Sequence, residues 1–548
     1  MRRHCELCED PPNIKGIKVY QACEILDGNP CLPCQQHIAL ETEISVAKEA
    51  LNNLLARRQN LRTEINYQHD PVIYRLPTEL TARIFEAYVE IDPEEPDWET
   101  KETGSPLLLG SVCRPWRRIA WSSPQLWSHI HISIPTPEHR RSIDVPQEWI
   151  DRSAELPLSI YVKISCCDIW QVASPTGTYL PFIKMVNRYS HRWEDFRIQC
   201  YPNLLAMFSG DAQGAPLLRT MCLSIYEWDE VEVEDSYSID SNESCAKPRP
   251  SHVELSRIQF KLVDINWNNI TDATFYMNSI CLDDCVVLLR QAPQLRNFVI
   301  NGVEDPEQMG WQEQTFPQEP IIHHGLQRFT FWEYKGNNLE LFFNSFAFPA
   351  LTHLNVRNIA DESLSSYIIA LFTRSPTPRI THLDVTNAIR YDYQTLINIL
   401  ETTPFLPELS IPDVLTDAET LDFLRFLGAT SIFNTSDDPR NHFLPKLQII
   451  TYLSAFNTWD VSFWEVLSQL FGPRGIDVHN STTGRRPLKK ISIIMGLDYF
   501  EDENPPVCLD REIVERLVEL SQSGVIFDLN NSGTDLFKQS IQYHGMSI

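Results

Sequence analysis

Leu351-Thr352-His353-Leu354-Asn355-Val356 is followed 29 residues later by Ile380-Thr381-His382-Leu383-Asp384-Val385. Both stretches carry an apolar residue, two intervening residues, and then two apolar residues alternating with polar ones. The alternating half has the period of a strand with one buried face. The same spacing holds in Leu218/Met221/Leu223, Leu295/Phe298/Ile300, Leu326/Phe329/Phe331, Leu406/Leu409/Ile411, Leu447/Ile450/Tyr452 and Leu488/Ile491/Ile493. From Leu295 to Leu406 the starts lie 31, 25, 29 and 26 residues apart. Helical runs are expected between them, at Leu282 to Gln291, Leu364 to Arg374, Thr395 to Thr402, Thr420 to Leu427 and Arg511 to Ser521. Such a period approximates a leucine-rich repeat, in which each strand lines one face and a helix returns along the other, building an open curved sheet. The repeat is degenerate: later starts are 41 residues apart, and Asn or Cys does not recur after the third apolar position. A general α/β sheet domain without solenoid geometry is the alternative.

Composition sets the limits around this region. The chain has 548 residues, 43% hydrophobic and 22% charged, more than one core usually fills. The formal charge of -27 repels phosphates and anionic lipid, so nucleic acid and membrane surfaces are not expected partners. There is no run of about 20 apolar residues to span a bilayer and no apolar signal core near Met1-Arg2-Arg3-His4, so the expected compartment is cytoplasm or nucleus. Fourteen cysteines are too dilute for a disulfide scaffold. Cys166, Cys167, Cys222, Cys281, Cys285 and Cys508 read as packing residues. In the strand region, residues alternating with the leucines should point away from the core: Arg296, Arg328, His353, Asn355, His382 and Asp384. Exposed His and Arg in an acidic chain make Arg296, Arg328, His353 and His382 the candidate positions for binding a protein target, with plain solvated strand positions as the alternative. The acidic tract Glu227 to Asp235 reads as a surface loop, or as a docking site for a basic segment.

Two further segments precede the strand region. Cys5-Glu6-Leu7-Cys8 and Cys31-Leu32-Pro33-Cys34 are paired thiol knuckles that could close one tetrahedral zinc site, and Cys5, Cys8, Cys31 and Cys34 are its candidate ligands. An unfolded tail with incidental thiols is the alternative. From Leu40 the series Leu40, Ile44, Ala47, Leu51, Leu54, Arg58, Leu61, Ile65 steps alternately by four and three, a heptad seam over residues 38 to 69. Ile44 and Ile65 fall at a, Leu54 and Leu61 at d, a branching pattern that suits two parallel strands, while Arg58 breaks the seam. The expectation is a homodimeric coiled coil or an amphipathic helix lying back on its own protein.

Residues 70 to 132 form their own unit. Leu76-Pro77-Thr78-Glu79-Leu80-Thr81-Ala82-Arg83-Ile84-Phe85 starts a helix at its proline. After an acidic, proline-bearing insertion from Asp92 to Pro106, Leu107 to Ala120 gives a second helix, with Val112, Trp116 and Ile119 on one face, and Ser123-Pro124-Gln125-Leu126-Trp127 closes the unit before a strand from His129 to Ser133. In their order, Leu-Pro-x-Glu-Leu, Ile-Phe, Val-Cys-x-x-Trp-Arg-x-Ile-Ala and Pro-x-Leu-Trp, these elements resemble an F-box, of the F-box-like variant found in large fungal families. Glu148 to Ser153, Pro157 to Ile160 and His191-Arg192-Trp193 are similar to the region C-terminal to the F-box in those proteins, which often continue into degenerate leucine-rich repeats. The resemblance implies a substrate receptor: the module binds a Skp-type adaptor of a cullin–RING ubiquitin ligase, and the region from 133 to 548 holds the protein to be ubiquitinated. On the matching positions it implies adaptor contacts at Leu76, Pro77, Leu80, Ile84, Val112 and Trp116. A scaffold that keeps the fold without binding the adaptor is the alternative.

No GxGxxG or GxxxxGK[ST] loop, HExxH or GxSxG motif occurs, so a non-catalytic chain is expected. His129 and His131, and likewise His323 and His324, read as polar surface positions. The whole is expected to be a multi-domain chain of mixed α+β and α/β class: a Cys-rich segment to residue 37, a coiled-coil helix, a three-helix F-box-like module, and a leucine-rich-repeat-like solenoid.

Overall fold

The computed structural model describes residues 31–69, 76–89, 105–134, 144–164, 175–226, 237–239, 247–277, 279–304, 317–335, 338–359, 361, 363–375, 379–386, 393–411, 417–434, 442–454, 461–471, 483–495, 508–531 and 534–546. The chain divides into two compact units, Met1–Leu126 and Trp127–Ile548. The division falls before the strand that begins at His129, which pairs with Leu158–Ile164 in the second unit. Cys5, Cys8, Cys166, Cys167, the Glu227 to Asp235 tract and most of the Asp92 to Pro106 insertion lie outside the described residues.

The first unit contains helix α1 (Leu32–His69), none of whose described side chains is buried. Helix α2 (Thr78–Val89) buries Thr81, Phe85 and Val89, spaced by four along one face. The sequence predicts a single helix from Leu107 to Ala120, but the chain forms two, α3 (Pro106–Val112) and α4 (Arg114–Trp121). Cys113 between them is extended, with φ -156° and ψ 169°. Pro115 causes the break: it has no N–H to donate four residues back, and its ring would collide with that carbonyl. Ser105 starts α3 by accepting the Leu107 N–H at 3.2 Å, with Pro106 in the first turn. The two short helices then pack closely at Gly110, where a Cβ would come within 1.9 Å of the Trp121 ring. Arg117 fixes the joint by donating from Nε to the Gly110 carbonyl at 2.7 Å.

The second unit is built on a sheet of fifteen strands among the described residues: β1 (His129–Ile134), β2 (Leu158–Ile164), β3 (Trp193–Cys200), β4 (Thr220–Ile225), β5 (His252–Ser256), β6 (Asp272–Tyr276), β7 (Asn297–Glu304), β8 (Arg328–Lys335), β9 (His353–Ile359), β10 (His382–Thr386), β11 (Glu408–Ile411), β12 (Ile449–Ser454), β13 (Lys490–Met495), β14 (Ile526–Asn531) and β15 (Thr534–Asp535). They lie side by side in chain order. Every adjacent pair is parallel except the last, where β15 turns back on β14. The sheet is open, with β1 and β15 at its edges.

Register shows why the apolar triads matter. Met221, Val253, Ala273, Phe298, Phe329, Leu354, Leu383, Leu409, Ile450, Ile491 and Phe527 form one continuous row across eleven strands, all buried. The leading residues Leu295, Leu326, Leu351, Ile380, Leu406 and Leu447 are buried where the chain enters each strand. Helices occupy the predicted intervals at Leu282–Gln291, Leu364–Arg374, Tyr393–Glu401, Asp417–Ala429 and Arg511–Gln522. Leu364–Arg374, for example, buries Leu364, Ile368, Leu371 and Phe372, a single stripe at helical spacing. A phenylalanine layer deepens the core at β8, where Phe329 lies 5.7 Å from Phe298 and Phe331 lies 5.3 Å from Phe342, ring centre to ring centre.

A backbone device recurs just before the strands. One carbonyl accepts two successive N–H groups of the next repeat: Arg219 from Ser251 and His252, Ser251 from Thr271 and Asp272, Thr271 from Arg296 and Asn297, Arg296 from Gln327 and Arg328, Gln327 from Thr352 and His353, and Thr352 from Thr381 and His382. Where Ser or Thr stands at the first of the two positions, its hydroxyl donates to the same carbonyl, as Ser251, Thr271, Thr352 and Thr381 do. These bonds satisfy the turn carbonyls and pin each strand to its neighbour's register.

Candidate interaction surfaces

On the first unit, two apolar stripes face solvent. Leu80, Ile84 and Tyr88 follow one another at i, i+4, i+8 on α2, and Leu108 and Val112 at i, i+4 on α3 beside Leu107. All six are 45 to 56% exposed, whereas the opposite face of α2 is buried. Of the six sequence-predicted contact residues, Leu80, Ile84 and Val112 belong to these stripes, Pro77 is exposed, and Leu76 is half-buried. Trp116 is also half-buried, its ring 4.8 Å from that of Phe85, so it supports α2 from beneath. Tyr88, Leu107 and Leu108 were missed by sequence reasoning, although the i+4 step from Ile84 to Tyr88 was readable.

On the second unit, the polar face of the sheet carries a lateral row of side chains. Asp272, Asn297, Arg328, His353, His382 and Glu408 are register partners across β6 to β11. Asn297 Nδ2 donates to Asp272, and Arg328 Nε donates to Asn297 Oδ1 at 2.6 Å. The rings of His353 and His382 stack at 5.6 Å, and His382 Nδ1 lies 3.9 Å from Glu408 Oε2. Burial, then His382 and Arg328, hold the His353 imidazole below its usual range, against the pull of Glu408. Arg328, His353 and His382 therefore meet as the sequence suggests. Arg296 does not: Asn297 takes its place in the row, and Arg296 sits in the turn before β7, its N–H bonded to Thr271. The triad Leu295/Phe298/Ile300 places residue 297, not 296, in the strand next to the core positions. Asp384, expected outward, is buried under the Arg357 guanidinium, which donates from Nε at 3.1 Å and lies over the Trp332 ring.

Further along the same face, His131 stacks on Tyr161 at 4.4 Å, and Tyr161 O–H and Arg197 Nε both donate to Asp195, at 3.3 and 3.0 Å. His131 is exposed, as the sequence suggests, yet desolvation of its ring, with the neighbouring His129 and Arg197, lowers its pKa to about 4, and burial with Asp195 raises that of Tyr161 to about 12. Cys222, buried as expected, points to this polar face, not to the core, and its thiol meets Glu254 Oε2 at 3.8 Å. With His252 these two form a group whose ligand atoms all lie within 4.8 Å, close enough to hold one metal ion. Burial and Glu254 push the Cys222 thiol well up, so it is protonated unless a cation displaces the proton. Cys281 and Cys285 are buried as predicted, whereas His323, read as a surface position, is buried and hydrogen-bonded at both ring nitrogens. In the first unit the Cys31 and Cys34 sulfurs lie 3.5 Å apart at the start of α1.

Among the described residues no helix is long and apolar enough to cross a membrane. No family model matches the chain, and no curated protein matches it in sequence.

Proposed function

We propose that the chain is a non-catalytic F-box-type substrate receptor, in which α2 to α4 bind a Skp-type adaptor of a cullin–RING ubiquitin ligase and the polar sheet face of the second unit holds the protein target. The observation that carries the reading is the pair of solvent-facing apolar stripes: Leu80, Ile84 and Val112, which the F-box resemblance marks for adaptor contact, are exposed, although the same helices bury their other faces. Exposed apolar stripes of this kind on a small helical module call for a partner. The strands in chain order support a solenoid-like target domain, and its row of polar side chains offers the target a surface of mixed charge. The expected outcome is co-purification of a Skp-type adaptor with the wild-type chain and its loss from Ile84→Glu with Val112→Glu, since both side chains face solvent and the fold should survive the change. An adaptor retained by that variant moves the contact off these two stripes, and an adaptor never recovered with folded wild type favours the scaffold without adaptor binding.

The same reading includes a structural zinc held by Cys5, Cys8, Cys31 and Cys34. The 3.5 Å between Cys31 and Cys34 sulfurs is near the ligand spacing of a tetrahedral thiolate site, about 3.8 Å for Zn–S bonds of about 2.3 Å. Elemental analysis of reduced, purified chain should give about one zinc lost on Cys31→Ser with Cys34→Ser; metal-free folded protein removes the zinc from the proposal. Zinc retained by that variant but lost on Cys222→Ser reassigns it to Cys222, His252 and Glu254.

A further inference from the structure

Helix α1 leaves its seam uncovered. Leu40, Ile44, Leu51, Leu54, Leu61 and Ile65 are each 36 to 63% exposed, and Ala47 and Arg58, the other two seam positions, are exposed as well. A 38-residue helix with an apolar line, interrupted at Arg58, that nothing among the described residues buries is a half-interface. We infer that α1 pairs with α1 of a second copy as an antiparallel two-stranded coiled coil whose two-fold axis passes between Asn52 and Asn53. The proposal stands apart from the adaptor reading and needs none of it.

The charges select both the occupant and its direction. In a parallel pair Arg58 faces Arg58 within the seam, and Arg57 lies beside Arg62 on each flank, which crowds six arginines into one stretch. The flanking pairs Glu43 with Lys48 and Glu64 with His69 favour that arrangement, but rim contacts weigh far less than like charges inside the seam. In the antiparallel register Leu51 faces Leu54, Ile44 faces Leu61, and Leu40 faces Ile65 of the second copy. Arg58 then meets Ala47, the smallest seam residue, which leaves room for its aliphatic stem while the guanidinium reaches water. Glu41 falls beside Arg62 on the flank, twice by symmetry, against one repeated like-charge contact, Glu43 with Glu64. The preference of β-branched residues at a and leucine at d for parallel strands does not oppose this, because an antiparallel layer always mixes an a with a d residue. Each His69 end would lie about 50 Å along the axis from the other at about 1.5 Å rise per residue.

A charge exchange at Glu41 and Arg62 tests the inference on the full chain, since both are exposed and away from the seam. Light scattering should show a dimer in the micromolar range. Glu41→Arg alone and Arg62→Glu alone should each weaken it by about tenfold, and the double exchange should restore it. A monomer, or an assembly larger than two, overturns the proposal. So does a dimer that Arg62→Glu tightens, because only parallel strands set position 62 beside Arg57 and would gain an ion pair from that change.

Discussion

His323 shows how a single polar side chain is built into the core. Leu326 donates its N–H to His323 Nδ1 at 3.1 Å, so that nitrogen carries no proton, and Nε2 must hold the hydrogen that reaches the Ala292 carbonyl at 3.0 Å. Burial holds the imidazole below its usual range; the backbone contacts at Ala292 and at His323 itself oppose this, and neighbouring His324 adds to it. Protonation at Nδ1 would sever the bond to Leu326. The folded state therefore takes up its proton at lower pH than the unfolded chain. Stability present above the unfolded value of about 6.5 falls away as pH drops through that value toward the folded one. Urea unfolding at pH of about 7.5 and about 5.5 should show this loss in the wild type and less of it in His323→Gln, whose amide can both accept and donate without titrating. His323→Leu should cost about 1–3 kcal/mol for each buried backbone group left unpaired, at both pH values. Equal pH dependence in wild type and the Gln variant would reject the assignment. Nothing in His323-His324 as sequence separates the buried ring from the exposed one; the distinction arises from the turn geometry that brings Ala292 within reach.

Among the elements, strands led by leucine or by Ile380 were legible as a repeat, and β3, β5, β6 and β14 were not. β3, β5, β6 and β14 have the same internal spacing as the others, in Trp193/Phe196/Ile198, Pro250/Val253/Leu255, Ile270/Ala273/Phe275 and Gly524/Phe527/Leu529, but the first position holds Trp, Pro, Ile or Gly and one core position shrinks to Ala273. Burial there requires volume and entry geometry, not leucine itself, so a search for leucine undercounts. The break between α3 and α4 was equally available, since Pro115 stands within the run read as one helix. The polar row across β6 to β11 was read correctly at Arg328, His353 and His382 because strand parity is fixed once a core triad is known; Arg296 was misplaced because parity does not extend into the turn. That distinction sets a test of the target surface. Arg328→Glu with His353→Glu should cut the recovery of proteins that co-purify with the wild-type chain by about tenfold or more, with little change in unfolding midpoint, whereas Arg296→Glu should leave recovery unchanged. Recovery unaffected by the double change would move the target surface elsewhere.

At the largest scale, that of the second unit's whole sheet, strand order in the chain and strand order in space coincide. The sequence predicted strand–helix alternation but not that fifteen strands would join one sheet, because a period says what repeats and not how far pairing continues. The doubled carbonyl acceptors extend that continuity from Arg219 to His382 with no change of pattern. This arrangement bears on how the chain is made. Each strand finds its partner in the segment synthesised just before it, so the loops that must close are short and their entropic cost small. On the ribosome each new strand therefore emerges after the segment it pairs with, and from β5 to β10 also after the carbonyl that accepts its two N–H groups. Every stage of growth ends in an open edge that could capture a strand from another molecule. The reversed β15 lies along the last of these edges, against Asn530 and Asn531, so the step that finishes the sheet also shields part of the template it would offer to a neighbouring nascent chain.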